Sequence, residues 1–394
     1  MINPVLPVYR RSDITITRGE GAYLFDEAGK KYLDFATGIA VNALGHGHPH
    51  LVKALQEQAG ILWHCSNLYQ QPGQQRFAQR LVDASFADTA FFCSSGTEAV
   101  EAGIKMVRRH FYAKGQKRYR IITLQGAFHG RTFAGISASG HPQAIEGYAP
   151  LLEGFDHVAF NDIAALEAAI THETAAILLE PVQGEGGIRS LPDSYLQAAR
   201  KLCDKHGILL FLDEVQCGMG RTGHLFAHEK AGIKPDLVAV AKGIGNGFPL
   251  AALLATEHAA SGMTPGSHGS TYGANPLAMA VGNAVLDVML EPAFLPGVRK
   301  TASYFMEKLQ ALQGEFPGMI ESVRGEGMML AIVMAPSVQY REFASDLRHA
   351  GLLTAPAVAP QVIRLLPPLI VTPSQCDESI QILQMLCKKG ATHA

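Results

Sequence analysis

The pattern of hydrophobic and polar positions changes near residue 50 and again near residue 291. Between these points, short apolar runs alternate with stretches of helical periodicity, and the runs are residues 90–93, 121–124, 176–179, 208–212 and 237–241. Continuous apolar runs suit strands that are covered on both faces, and their alternation with helices is typical of a parallel sheet. The middle of the chain therefore predicts an α/β unit with a mostly parallel central sheet.

The two ends of the chain have a different pattern. Residues 23–25 and 32–35 flank the polar turn 26–30, which predicts a hairpin. Pro292, Pro296 and Gly297 punctuate the chain; an amphipathic helix near 298–313, short strands and a last helix near 374–389 follow. We predict a large domain of residues 51–290 and a smaller, discontinuous α+β domain of residues 1–50 and 291–394.

The composition excludes several classes of partner. The chain has 394 residues and a net charge of −2, so it has no global field for DNA, RNA or anionic lipid. No apolar stretch approaches the roughly 18 residues of a membrane span, and we expect no targeting segment at the N-terminus. The six cysteines are scattered without a C-x-x-C pair, which favours a reducing, cytoplasmic location.

Polar residues follow each apolar run at the point where the predicted strand ends. Asp213 and Glu214 follow one run, Lys242 follows another, and Glu180 begins a glycine-rich segment after a third. Residues 94–98 and 126–131 follow the other two runs. Ligands of open parallel sheets bind outside the carboxyl ends of the strands. These segments are therefore predicted to converge on one site.

Three of these positions suggest specific chemistry. Ser95 and Glu98 have capping-box spacing, and with Gly96 they indicate either a phosphate cradle at a helix start or only a well-capped helix. A desolvated Lys242 would offer the neutral amine that Schiff-base chemistry needs, although a solvated strand cap is the alternative. Asp213 requires a cationic partner, which is either a protonated pyridine nitrogen or a structural neighbour such as Arg221.

A longer motif connects these positions. Residues 211–223, Pro235, Asp236 and residues 241–243 together resemble the long signature of the class III, fold-type I pyridoxal-phosphate aminotransferases, and the likeness covers nearly the whole chain. Residues 38–46, 66–69 and 324–329 resemble the subgroup that acts on acylated ornithines. The resemblance implies a large cofactor-binding domain with a mostly parallel sheet.

The resemblance also implies a role for individual residues toward pyridoxal 5′-phosphate. Lys242 would join the cofactor covalently, and Asp213 would pair with its pyridinium nitrogen. Gln216 would hydrogen-bond the ring 3-hydroxyl and Phe128 would stack on the ring. The phosphate would be held by Ser95, Gly96 and Thr97, and by Thr271 of a neighbouring subunit.

Further residues are implied for the substrates. Arg131 and Arg364 would bind substrate carboxylates, and Ser270 would lie with them in the substrate site. Glu185 would mask or release Arg364, so that one pocket accepts both a basic donor and glutamate. No metal is implied.

The resemblance therefore implies a homodimeric, ping-pong transaminase. It would move the terminal amino group of N-acetylornithine reversibly to 2-oxoglutarate, as a step of arginine biosynthesis. Succinylornithine, ornithine or 4-aminobutyrate as donor, or an aminomutase, are alternatives within the family. An NAD(P)-binding oxidoreductase is the alternative from another class, because residues 218–223 form a G-x-G-x-x-G pattern. That pattern should open a long helix, which residues 232–235 would interrupt.

Overall fold

The computed structural model of the chain describes residues 4–139 and 141–391. Its strands are β1 (Ile16–Glu20), β2 (Tyr23–Asp26), β3 (Lys31–Phe35), β4 (Thr89–Cys93), β5 (Arg120–Leu124), β6 (Phe155–Val158), β7 (Thr174–Leu179), β8 (Val182–Gln183), β9 (Arg189–Ser190), β10 (Leu209–Asp213), β11 (Leu237–Val240), β12 (Ala251–Ala255), β13 (Ile320–Glu326), β14 (Met329–Met334), β15 (Leu352–Pro356) and β16 (Val362–Leu365). Its helices are α1 (Thr37–Ala40), α2 (Pro49–Ala59), α3 (Pro72–Asp83), α4 (Gly96–Ala113), α5 (Phe133–Ala138), α6 (Pro142–Ile145), α7 (Ile163–Ala168), α8 (Asp193–His206), α9 (Glu257–Ala260), α10 (Pro276–Met289), α11 (Phe294–Glu315), α12 (Tyr340–His349) and α13 (Pro373–Ala391).

The central sheet has the strand order β4-β12-β11-β10-β7-β5-β6. Strand β10 pairs in parallel with β7 and β11, whereas β12 is antiparallel to β11 and β4. Every residue of β7, β10 and β11 is buried, because helices cover both faces of the sheet. The predicted mostly parallel sheet is confirmed, and each of the five apolar runs forms one of its strands.

Two strands of this sheet were not among the predicted runs. Strand β6 carries Asp156 and His157 in its four residues, and β12 is rich in alanine, which has a low preference for strands. Both are held in place by pairing with neighbours rather than by their own sequence.

A second seven-stranded sheet joins the two ends of the chain. Its order is β1-β2-β3-β15-β16-β14-β13. The predicted hairpin is present as antiparallel β2 and β3, and β3 pairs in parallel with β15, where Leu33 lies opposite Leu352. The predicted domain boundaries at residues 50 and 291 stay a prediction.

Helix α4 begins with the predicted capping box. The Ser95 side chain accepts a hydrogen bond from the Glu98 backbone N–H, and Glu98 Oε2 accepts from the Ser94 backbone N–H at 3.0 Å and from Ser95 Oγ at 2.8 Å. The helix packs across β11 and β12. Gly103 allows α4 to approach Phe211 of β10, since a Cβ at Gly103 would lie 2.2 Å from Phe211 Cζ.

Within the described residues, no helix alone has the length and apolar composition needed to cross a membrane. Helices α10 and α11 meet that test only as a pair, and they are bent by 69° relative to each other.

Replacing Gly103 tests the close packing of α4 on the sheet. We expect Gly103→Ala to lower the free energy of unfolding by about 1–3 kcal/mol, because the added methyl group overpacks a buried contact. Urea denaturation measures this change. Gly297→Ala in α11 is the matched control, since a Cβ there meets open space. An equal effect of both substitutions would contradict the packing explanation.

Candidate active site

One cavity lies at the carboxyl ends of the central strands. Its lining comes from the segments that follow β4, β5, β7, β10 and β11, and consists of Gly96, Thr97, Val100, Phe128, His129, Gly130, Glu180, Glu185, Asp213, Val215, Gln216 and Lys242. The parallel strands bring these segments to the same edge of the sheet. The predicted convergence of the polar segments is therefore present in the structure.

Lys242 enters this cavity two residues after β11. Its backbone has a φ of 51°, a left-handed conformation that is uncommon for a residue with a side chain. No hydrogen-bond or ion-pair partner of its Nζ occurs in the described part of the chain. Burial lowers the pKa of Lys242 to about 8, although the nearby Glu185 carboxylate opposes this effect. The side chain therefore offers a neutral amine at moderately alkaline pH.

Asp213 is the last residue of β10 and is buried beside His129. Asp213 Oδ2 lies 2.8 Å from His129 Nδ1, and Asp213 Oδ1 accepts a hydrogen bond from the Val215 backbone N–H at 3.0 Å. His129 Nε2 is buried without a hydrogen-bond partner among the described residues. His129 thus acts as a hydrogen-bonding support for the carboxylate.

Of the structural neighbours considered for Asp213, Arg221 does not pair with it, whereas His129 does, at 2.8 Å. The Arg221 guanidinium is buried elsewhere and donates hydrogen bonds to the carbonyl oxygens of Met328 and Pro367. These contacts tie the segment after β10 to the hairpin of β13 and β14 and to the segment after β16. Asp213 is therefore not neutralised by an arginine.

The start of α4 fits an anion. The Ser95 side chain accepts a hydrogen bond from the Glu98 backbone N–H. The N–H groups of Gly96 and Thr97 have no acceptor among the described residues. Both residues line the cavity, and the positive end of an 18-residue helix lies there. A Cβ at Gly96 would lie 2.7 Å from Val215 Cγ1, so only glycine fits between the helix start and that side chain.

The loop after β5 carries Phe128 and Arg131. The ring of Phe128 faces the cavity, and the Arg131 guanidinium carbon lies 5.2 Å from the centre of that ring. Arg131 is exposed, in contrast to Arg364. It is therefore available to a carboxylate that arrives from solvent.

Arg364 is fully buried and forms a two-point ion pair with Glu185. The Nη1–Oε1 distance is 2.8 Å and the Nη2–Oε2 distance is 3.1 Å. Arg364 also donates hydrogen bonds to the carbonyl oxygens of Gly184 and Pro356, while Gln216 Nε2 donates weakly to Glu185. The charge of the guanidinium is thus neutralised inside the protein.

Ser270 and Thr271 do not line the cavity of their own chain. Thr271 is exposed on the loop before α10, and Ser270 Oγ accepts a hydrogen bond from the Gly273 backbone N–H at 3.0 Å. A single chain therefore does not bring these two residues to Lys242.

Five lining residues are not among the cofactor- and substrate-binding residues predicted from the sequence: Val100, His129, Gly130, Glu180 and Val215. Glu180 is the first residue after β7 and Asp213 is the last residue of β10, so the same signal, a polar residue at a strand end, identifies both. Val215 packs against Gly96, and a valine in an apolar neighbourhood carries no signal in the sequence.

The glycine pattern of residues 218–223 lies in turns and is followed by a single short 3-10 turn, Ala227–Glu229. A dinucleotide fingerprint requires a long helix at this place, and the described residues form none there.

The chain is similar in sequence and in structure to known aminotransferases. The class-III aminotransferase family profile matches residues 7–386. The acetylornithine aminotransferase of Mesorhizobium japonicum is 56% identical over 374 residues, which cover 94% of this chain and 93% of that protein. The crystal structure of N-acetylornithine aminotransferase from Stenotrophomonas maltophilia K279a has a TM-score of 0.85 at 37% identity, covering 98% of both chains. An ornithine aminotransferase from Toxoplasma gondii, described with partial occupancy of PLP at its active site, has a TM-score of 0.93 at 28% identity, covering 98% of this chain and 92% of that chain.

The chain belongs to the class-III aminotransferases. It is therefore a transaminase that depends on pyridoxal 5′-phosphate. Within the residues that the structure describes, the cavity fits that group, because it offers an amine without a hydrogen-bond partner, a buried carboxylate without an arginine, and two backbone N–H groups without an acceptor at a helix start.

The lowered pKa of Lys242 can be measured in the cofactor-free protein. Acylation by acetic anhydride requires the neutral amine, so labelling of Lys242 should increase with pH and be half-maximal near pH 8. Peptide mass spectrometry measures the labelling. In urea-unfolded protein the midpoint should return to about 10.4, the ordinary value for lysine. The same midpoint in folded and unfolded protein would contradict the effect of burial.

Proposed function

We propose that this transaminase moves the terminal amino group of N-acetylornithine to 2-oxoglutarate, giving N-acetylglutamate 5-semialdehyde and glutamate, as a step of arginine biosynthesis. The observation that carries the donor assignment is the 56% identity, over 94% of the chain, to an acetylornithine aminotransferase. The geometry of the cavity supports the type of reaction.

Lys242 is the proposed residue for covalent attachment and proton transfer. Pyridoxal phosphate, when bound, supplies an electron sink for the carbanion that forms next to the donor nitrogen. The lowered pKa keeps Lys242 Nζ neutral often enough to attack a carbonyl carbon. When Lys242 Nζ is not joined to the cofactor, it would serve as the general base that takes up the proton released from the donor carbon.

We assign Asp213 and His129 to the side of the cavity that would receive the ring nitrogen of the cofactor. Asp213 keeps a negative charge where a ring nitrogen must stay protonated, and His129 fixes the orientation of that carboxylate. The buried position of Asp213 strengthens its interaction with a cation, because water does not screen it.

The remaining cofactor contacts follow from the lining of the cavity. We assign the phosphate to Ser95, Gly96 and Thr97, where free N–H groups and the helix dipole favour an anion. Phe128 presents its ring to one face of the cofactor, and Gln216 is assigned to the ring hydroxyl.

Substrate carboxylates are assigned to the two arginines. Arg131 is exposed and takes the donor carboxylate, and Ser270 would reach the substrate only from a neighbouring subunit. Arg364 is masked by Glu185 for the donor and is released for the second carboxylate of 2-oxoglutarate. One cavity thereby accepts two substrates of different charge.

We also propose that the enzyme is a homodimer in which Thr271 contributes to the phosphate site of the partner subunit. Residues on the loop between α2 and α3 support an interface, because they expose large apolar side chains: Ile61, Leu62, Trp63, Leu68 and Tyr69. We further propose a cytoplasmic location, since the six cysteines are unpaired thiols.

A panel of donors tests the proposed substrate. The protein with bound cofactor should lose its aldehyde absorbance when N-acetylornithine is added without an oxo acid, and regain it with 2-oxoglutarate. N-acetylornithine should have the highest kcat/KM among N-acetylornithine, succinylornithine, ornithine and 4-aminobutyrate. A better rate with another donor would overturn the donor assignment, and an unchanged spectrum with all four would overturn the proposed reaction.

Mixed dimers test the contribution of Thr271. Lys242→Ala should be inactive, and Thr271→Val should bind the cofactor about 10–100-fold more weakly, because a hydrogen bond to a charged group is lost. If Thr271 acts across the interface, a mixed dimer of the two variants contains one intact site. Activity at limiting cofactor should then return when the two variants are mixed and reassociated. No recovery, although mixed dimers form, would place Thr271 in its own chain's site or outside both.

A further inference from the structure

Glu180 is a buried carboxylate of the cavity that none of the assigned roles uses. It is the first residue after β7 and is 6% exposed. A buried carboxylate is costly unless hydrogen bonds or charges compensate it. The contacts that compensate Glu180 therefore indicate what it does.

Two backbone N–H groups from different loops donate to Glu180. The Phe128 N–H donates to Oε1 at 2.8 Å, and the Gly184 N–H donates to Oε2 at 3.3 Å. Each carboxylate oxygen of Glu180 thus accepts a hydrogen bond from one of the two loops. The described residues give Glu180 no lysine or arginine ion pair.

These two loops carry the groups that were assigned to the substrates. The first holds Phe128 and Arg131. The second holds Gly184, whose carbonyl accepts from Arg364 Nη1 at 3.0 Å, and Glu185, which pairs with the same guanidinium. The distance between the two loops sets the distance between the exposed and the masked arginine.

We propose that Glu180 is a positioning residue that fixes the Glu185–Arg364 ion pair relative to the Phe128–Arg131 loop and thereby keeps Arg364 masked while the donor is bound. The proposal rests on the proposed function, because it concerns how that cavity accepts two kinds of substrate. Glu180 acts through the two loops and not on the reacting atoms.

The role requires an ionised Glu180, because only a carboxylate offers an acceptor oxygen to each amide. Burial raises the pKa of Glu180 to about 7, although the nearby His129 opposes this effect. The titratable and charged groups around it come from the loop after β5, the segments after β10 and β11, and its own loop: His129, Asp213, Cys217, Lys242, Glu185 and Arg189.

The substitution Glu180→Gln should remove one of the two hydrogen bonds and keep the other, without changing the shape of the side chain. Its single amide oxygen should keep the shorter bond to Phe128, so that its NH₂ group faces the Gly184 N–H and that loop is released. Arg364 then loses part of its neutralisation. We expect kcat/KM for N-acetylornithine to fall about 10–100-fold, and that for 2-oxoglutarate to change less than about threefold.

Equilibrium binding gives a second readout that does not need turnover. In the enzyme with bound cofactor, Glu180→Gln should weaken binding of N-acetylnorvaline, which is the donor without its reacting amine. Binding of glutarate, a dicarboxylate, should be unchanged or tighter. Glu167→Gln is the control, since Glu167 is an exposed carboxylate on α7 that pairs with Lys205 outside the cavity.

The wild-type protein should approach the behaviour of Glu180→Gln as the pH falls below 7, because protonated Glu180 also has only one good acceptor. The ratio of the affinities for N-acetylnorvaline and glutarate should therefore change with a midpoint near pH 7 in wild type. In Glu180→Gln this ratio should not change with pH. Equal losses for both ligands, or no change in either, would overturn the proposal. If wild type binds glutarate but not N-acetylnorvaline, the donor assignment fails; tighter binding of glutarate by Glu180→Gln would then support the role of Glu180, and unchanged binding would overturn it.

Discussion

The cavity holds charged side chains from which water is largely excluded. The chemistry of the cavity depends on which of these side chains have a partner. Asp213 is held by His129 and a backbone N–H, and Arg364 is held by Glu185. Lys242 alone has no such partner among the described residues, and burial lowers its pKa. Because no ion pair holds its Nζ within the described residues, the lysine amine remains free to react.

The parallel sheet makes this arrangement possible. Strands β7, β10 and β11 are buried on both faces, so their central positions are apolar and charged residues stand at or after the strand ends. Glu180, Asp213 and Lys242 then follow within two residues of a strand end. The position of each group is set by a rigid element, while its protonation is set by its neighbours. This separation allows one scaffold to hold carboxylates, an amine and an anion site in one cavity.

The sequence predicts the strands and the place of the candidate site well where the signal is local. The apolar runs, the capping box at Ser95 and the polar residues after the strands all depend on short stretches of chain, and the structure contains them. The partner of Asp213 could not be predicted, because His129 lies 84 positions away and comes into contact only when β5 and β10 join one sheet. The role of Glu180 was not recognised, since its partners are backbone groups that have no sequence identity.

The second sheet has a consequence for synthesis of the chain. Strand β3 is made early, but its neighbour β15 and the Arg364 strand β16 come from the last tenth or so of the sequence. Until they leave the ribosome, one edge of β3 has open backbone groups that could pair wrongly. The central sheet, complete by residue 255, is able to form during translation. The part of the chain that carries Lys242 is thus able to fold before strand β16, which carries Arg364, has been made.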